Sequence, residues 1–112
     1  MEIRKWNVYL ADLNPRFGTE PGKMRPVVVV QTDLLNDYHP STIICPLTTR
    51  IYPHSSFLRV HLQRGEAGLI EKSDIMVDQL RAIDNRRFMK RLGAVGKATQ
   101  KKLAENLQVI LT

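Results

Sequence analysis

Over residues 6–13 apolar positions recur every second residue, with Trp6, Val8 and Leu10 on one face. That period predicts a half-buried first strand, ended by Asn14-Pro15. Val27 to Val30 is instead an unbroken β-branched run, and Thr42 to Leu47 is a second apolar run. Short runs of that kind predict strands buried on both faces. Between them, Leu34, Leu35 and Tyr38 predict a short helical turn within Asp33 to Pro40, capped by Thr32 or Asp33. Alternation returns at Leu58, Val60 and Leu62 against Arg59 and His61, a strand with one exposed face. Gly65-Glu66-Ala67-Gly68 reads as a turn, with Leu69 and Ile70 pairing briefly after it.

Asp74 to Ile83 predicts one further continuous strand, broken by Asp84-Asn85. Ile75 and Val77 share a face that leads on to Gln79 and Arg81. Neither face is purely apolar, so this strand is expected to run from the core to a polar cleft. Phe88 to Val95 predicts a last short strand. From Lys97 the period becomes helical, with Leu103, Leu107, Ile110 and Leu111 in one stripe and Gly96 or Thr99 as the cap. Strands follow one another without a βαβ rhythm, which predicts a mainly antiparallel sheet with one or two helices. A chain of 112 residues fits a single domain over 1–112, large enough for a core without disulfide or metal.

Charge adds a direction. Seventeen Lys and Arg against eleven Asp and Glu give +6, which suits a polyanionic partner such as nucleic acid. Cys45, the only cysteine, falls in an apolar run and reads as a small buried hydrophobe; a single cysteine agrees with a reducing compartment. No apolar segment is long enough to span a bilayer, and no signal-peptide core follows the N-terminus, so a cytoplasmic protein is expected. His39, His54 and His61 are scattered, with no metal-ligand spacing, and no P-loop or GxSxG elbow occurs. No cofactor and no metal are expected.

The informative stretch is Gly18 to Thr49. Gly18, Pro21, Gly22 and Pro26 punctuate a loop from Arg16 to Arg25, which is long for a hairpin. It delivers Arg25 to the start of the valine run, while Thr48 and Thr49 end the next strand. A planar, permanently charged guanidinium beside a hydroxyl suits an anionic oxygen. The other reading pairs Arg25 with a carboxylate inside the fold.

Gly18-x-Glu20-x-Gly22-Lys23-x-Arg25-Pro26 followed by four valines resembles the signature of the MazF/PemK-type toxins, sequence-specific endoribonucleases of bacterial toxin–antitoxin pairs. Pro46-Leu47-Thr48-Thr49 is similar to the family's next motif, and residues 78–84, Asp-Gln-Leu-Arg-Ala-Ile-Asp, to its third. The resemblance covers nearly the whole chain. It implies a small, strongly curved antiparallel SH3-like barrel of the CcdB/PemK kind with a C-terminal helix. It also implies metal-independent cleavage of single-stranded mRNA through attack by the 2′-OH, giving 2′,3′-cyclic phosphate and 5′-OH ends. A homodimer and a cognate antitoxin with an acidic, initially disordered segment are implied too, with DNA reached only through the antitoxin complex.

RNA supplies its own nucleophile, so the protein needs a base, an acid and donors for the crowded phosphate. Arg25 is the expected electrostatic clamp, Thr48 a second donor, and Glu20 the acceptor of the 2′-OH proton. Phe17 and Tyr52 can stack unpaired bases. Thr19, Lys23, Thr49 and Arg50 flank the same loops, and Asp78, Gln79 and Arg81 are the expected contacts from the third motif, Gln79 to a base edge and Arg81 to phosphate. Each has a plainer reading: Glu20 solvated, Phe17 buried, Thr48 satisfying backbone groups, Asp78 paired with Arg81 or Arg25, and Arg81 paired with Asp84. Arg86, Arg87, Lys90 and Arg91 read as a solvated face. Some similar toxins carry histidine where this chain has Thr19, or arginine where it has Met76, which throws more of the chemistry onto Arg25. The alternative function is a non-hydrolytic toxin of the same fold, a gyrase poison acting by protein contact.

Overall fold

The computed structural model describes residues 1–112. Its strands are β1 (Asn7–Asp12), β2 (Met24–Val29), β3 (Ser41–Thr48), β4 (Arg59–Leu62), β5 (Ser73–Met76), β6 (Arg81–Asp84) and β7 (Phe88–Ala94). Helix α1 (Asp33–Asn36) is a single turn capped by the Thr32 side chain, and α2 (Lys97–Leu111) closes the chain. All strand pairs are antiparallel, in the order β4-β5-β3-β2-β1-β7, with β6 on the N-terminal half of β3. The sheet's two ends, β4 and β7, do not pair, so the fold is an open antiparallel sheet with a C-terminal helix rather than a closed barrel.

The valine run is buried on both faces, as its pattern predicts. Val28 packs with Leu47, Ile75 and Leu103 of α2, whereas Val27 and Val29 pack with Tyr9, Ile44 and Ile83 on the other side. The first strand departs from the half-buried expectation. Val8 enters one core, and Tyr9 and Ala11 enter the other. Tyr9 is admitted because its hydroxyl donates to Glu2 O and accepts from Arg4 N, both at 2.9 Å.

Residues 74–83 are not one strand. β5 pairs with Leu47 and Thr48, β6 pairs with Ser41 to Ile44, and a 3₁₀ turn over Val77–Gln79 carries the chain between them. One strand, β3, thus serves two partners along one edge. Leu69 and Ile70 form no strand; Leu69 is buried and Ile70 exposed.

A 3₁₀ turn over Glu66–Gly68 bridges the two ends of the sheet by packing on β7. A Cβ on Gly68 would stand 2.2 Å from Leu92 O, and one on Gly93 would stand 2.6 Å from the Ala67 carbonyl carbon. Two backbones meet there with no room for side chains. The same turn caps α2: Glu66 Oε2 accepts from Gly96 N at 3.1 Å and from the Thr99 hydroxyl at 2.6 Å. Gly96 occupies the N-cap position, but its capping group comes from elsewhere in the chain. No helix is long and apolar enough to cross a membrane.

Candidate active site

The loop between β1 and β2 is drawn together at its base. Leu13 N donates to Lys23 O at 3.0 Å, Lys23 N to Asn14 Oδ1 at 2.7 Å, and Arg87 Nη1 to Asp12 O at 2.9 Å. Gly22 is buried at the crossing, where a Cβ would lie 2.6 Å from Arg16 Cβ. Lys23 holds a left-handed φ of 58°, unusual for a residue with a side chain. This geometry sets the direction in which β2, and with it Arg25, leaves the loop.

Arg25 is half-buried. Its Nε donates to Gly22 O at 3.0 Å and its Nη1 to Leu47 O at 3.1 Å. Both partners are neutral carbonyls, and no carboxylate lies within ion-pair distance. The internal-pair reading therefore does not hold. Burial first, and the positive Arg16 second, lower the Arg25 pKa from its ordinary value. Both causes oppose positive charge, and an incoming anion would relieve them.

Val27 lies opposite Pro46 and Val28 opposite Cys45. Continued by two residues, that register sets Arg25 against Thr48. The two share a cavity of about 170 Å³ with Lys23, Thr49 and Ser73. Thr48 Oγ1 accepts from Arg50 N at 3.2 Å, which leaves its proton free to be donated. Ser73 is a site residue the sequence did not suggest. It stands next to the residue that pairs with Thr48 across β3 and β5. It also lines a second groove with His61 and Lys72, which continues to Arg59 and to Lys102 of α2.

The other expected residues do not line the Arg25 cavity. Phe17 is 68% exposed at the loop tip, and Thr19 is exposed. Glu20 is half-buried, its N donating to Phe17 O, with no ion pair at its carboxylate. Arg50 and Tyr52 stand in the following loop, with the Arg59 guanidinium 4.1 Å from the centre of the Tyr52 ring. Asp78 is exposed and Gln79 half-buried in the Val77–Gln79 turn. Arg81 pairs with neither Asp78 nor Asp84; Asp84 is taken by Arg86 at 2.9 Å, and Arg81 Nη1 is buried without a hydrogen-bond partner. Met76, where some similar toxins carry arginine, is buried. Burial, then the nearby Asp78, push the Cys45 thiol up to about 12, which keeps it an uncharged core group.

The fold is thus an open antiparallel sheet with a C-terminal helix, and a guanidinium without a counter-ion stands at the mouth of its first hairpin loop. A family model described as "PemK-like, MazF-like toxin of type II toxin-antitoxin system" matches residues 4–111, and the chain belongs to that family. MazF from Deinococcus radiodurans shares its fold at TM-score 0.85 and 20% identity, covering 99% of this chain and 97% of that one. An endoribonuclease in complex with its cognate antitoxin, from a mycobacterial species, matches at TM-score 0.80 and 19% identity over 97% and 94%. The Mycobacterium tuberculosis toxin MazF-mt6 matches at 0.78 and 18% over 94% and 95%.

Proposed function

We propose that this chain is a metal-independent endoribonuclease toxin that cuts single-stranded mRNA at a short sequence in the cytoplasm. The observation that carries the reading is the half-buried Arg25 guanidinium, bonded only to carbonyls and facing one cavity with Thr48. A scissile phosphate seated there receives Arg25 on its equatorial oxygens and the Thr48 hydroxyl beside it. Glu20 takes the 2′-OH proton, the 2′-oxygen bonds to phosphorus, and the P–O5′ bond breaks. The products are a 2′,3′-cyclic phosphate and a 5′-hydroxyl, whose oxygen takes up a proton. A guanidinium starts above about pKa 12, so Arg25 acts as a charge clamp and leaves proton delivery to solvent.

Base-edge and backbone contacts fall to Phe17, Thr19, Lys23, Thr49, Arg50, Tyr52, Asp78, Gln79 and Arg81. Several of these stand outside the Arg25 cavity, which fits a substrate longer than one nucleotide, read across a homodimer groove. One similar structure is described as an endoribonuclease with its cognate antitoxin. The corresponding partner here is an acidic segment that folds onto the basic groove, and DNA is reached only through that complex. Purified protein in EDTA with single-stranded RNA, run beside Arg25→Ala, tests the reading. Cleavage is expected in EDTA and a loss of about 10²–10³ in rate in the variant. Cleavage abolished by EDTA, or undiminished in Arg25→Ala, overturns it.

A further inference from the structure

Asp74 is the least expected residue of the sheet. It is a carboxylate with no exposed surface, at the centre of β5, with Thr48 opposite on β3 and His61 opposite on β4. Cross-strand partners share a face at a spacing of about 4.8 Å, so Asp74 lies directly beside Thr48. A buried charge persists only when it is thoroughly paired. Oδ2 accepts from Tyr52 N at 2.9 Å and from Arg59 Nη1 at 3.1 Å, and Oδ1 meets His61 Nδ1 at 2.5 Å.

Two of these three partners lead into the loop that follows Thr48. Arg59 Nη1 also donates to Arg50 O at 2.9 Å, and its guanidinium covers the Tyr52 ring. Arg50 N, in turn, donates to Thr48 Oγ1. A continuous chain thus runs from Asp74 through Arg59 and Arg50 to the Thr48 hydroxyl. Where Arg50 N sits decides which lone pair of Oγ1 is occupied, and so where the hydroxyl proton can point. The loop's far end is pinned separately, by Asn106 Nδ2 of α2 donating to Ser56 O at 3.1 Å.

We propose that Asp74 is a positioning residue: it holds the loop from Arg50 to Ser56 on the sheet and thereby aims the Thr48 hydroxyl into the Arg25 cavity. The inference rests on the endoribonuclease reading for its kinetic consequence, but not for its structural one. The test uses the full chain and two variants, Asp74→Asn and Arg59→Met, which break the chain at different links, should one of them fail to fold. Amide exchange comes first. The Arg50 and Tyr52 N–H groups are expected to exchange at least about tenfold faster in either variant, while the Val27–Val29 amides stay protected.

Cleavage of a defined single-stranded RNA comes second. The expected result is a kcat lower by about tenfold or more, with KM changed less than threefold. In a Thr48→Val background the Asp74→Asn effect is expected to shrink to less than about threefold, because the hydroxyl it aims is gone. Unchanged exchange at Arg50 and Tyr52, wild-type kcat in both variants, or an equal Asp74→Asn effect with and without the Thr48 hydroxyl each overturns the proposal. If the wild-type protein cuts no RNA, the endoribonuclease reading fails instead, and the exchange result still decides whether the loop is held.

Discussion

Arg25 and Asp74 stand on the same stretch of sheet, on either side of Thr48, and have opposite fates. The guanidinium is half-buried and bonded only to the carbonyls of Gly22 and Leu47. The carboxylate is fully buried and bonded to Tyr52, Arg59 and His61. A charge that the fold satisfies is holding something in place. A charge that the fold desolvates and leaves without a counter-ion is stabilised by an incoming opposite charge, which is what the proposed role of Arg25 uses. The difference separates scaffold from site more sharply than residue type does.

Removing each charge sharpens the contrast. Asp74→Ala is expected to cost about 3–5 kcal/mol of stability in denaturant unfolding, since it strands the Arg59 guanidinium, only 11% exposed at its side chain. Arg25→Met should cost less, about 1–3 kcal/mol, because it removes two hydrogen bonds to carbonyls but strands no charge. In the cleavage assay it should nevertheless lose as much as Arg25→Ala. A large stability loss in Arg25→Met would break the comparison.

Salt dependence makes a finer distinction. A phosphate contact on single-stranded nucleic acid adds about 0.7 to the slope of log affinity against log salt. Arg25→Met is expected to lower that slope by about 0.7 in RNA-binding titrations, and Asp74→Asn to leave it unchanged. The smallest effect belongs to a surface pair. The Arg86 side chain, and its backbone N–H, hold the Asp84 carboxyl down at about 2. A carboxyl lowered on folding stabilises above its unfolded pKa, so this contribution is whole above about pH 4 and fades as pH falls towards 2. Arg86→Ala should return Asp84 towards the ordinary carboxylate range in an NMR titration and shift the acid-unfolding midpoint only slightly.

Much of the scaffold is legible in the chain because period and burial are local properties. The valine run, the Thr32 cap and the Leu103–Leu107–Ile110 stripe each state their own environment, although Leu111 at the stripe's end is 64% exposed. What escapes is anything decided by a distant partner. The break at Val77–Gln79 carries no proline or glycine; it exists because β3 must be paired twice. Asn106 lies on the buried face of α2, and the carbonyl that takes its amide, Ser56 O, is 50 residues away along the chain. Asp74 looks like the polar start of a strand, and only the fold reveals its three donors. For the site, the motifs locate Arg25, Thr48, Thr49 and Lys23 in one cavity, while Ser73 has no signature beyond its neighbour's register.

The Glu66–Gly68 turn touches β7 through bare backbone and, through one carboxylate, holds the first turn of the final helix. Sheet edge and the helix's first turn therefore share this anchor, in addition to β7's pairing with β1 and the core contacts of Leu103. Loosening it loosens both, so α2 should not fray independently at its N-terminal end. The amides of Gly96 and Gln100 are expected to open together with those of Leu92 and Gly93, at one shared rate.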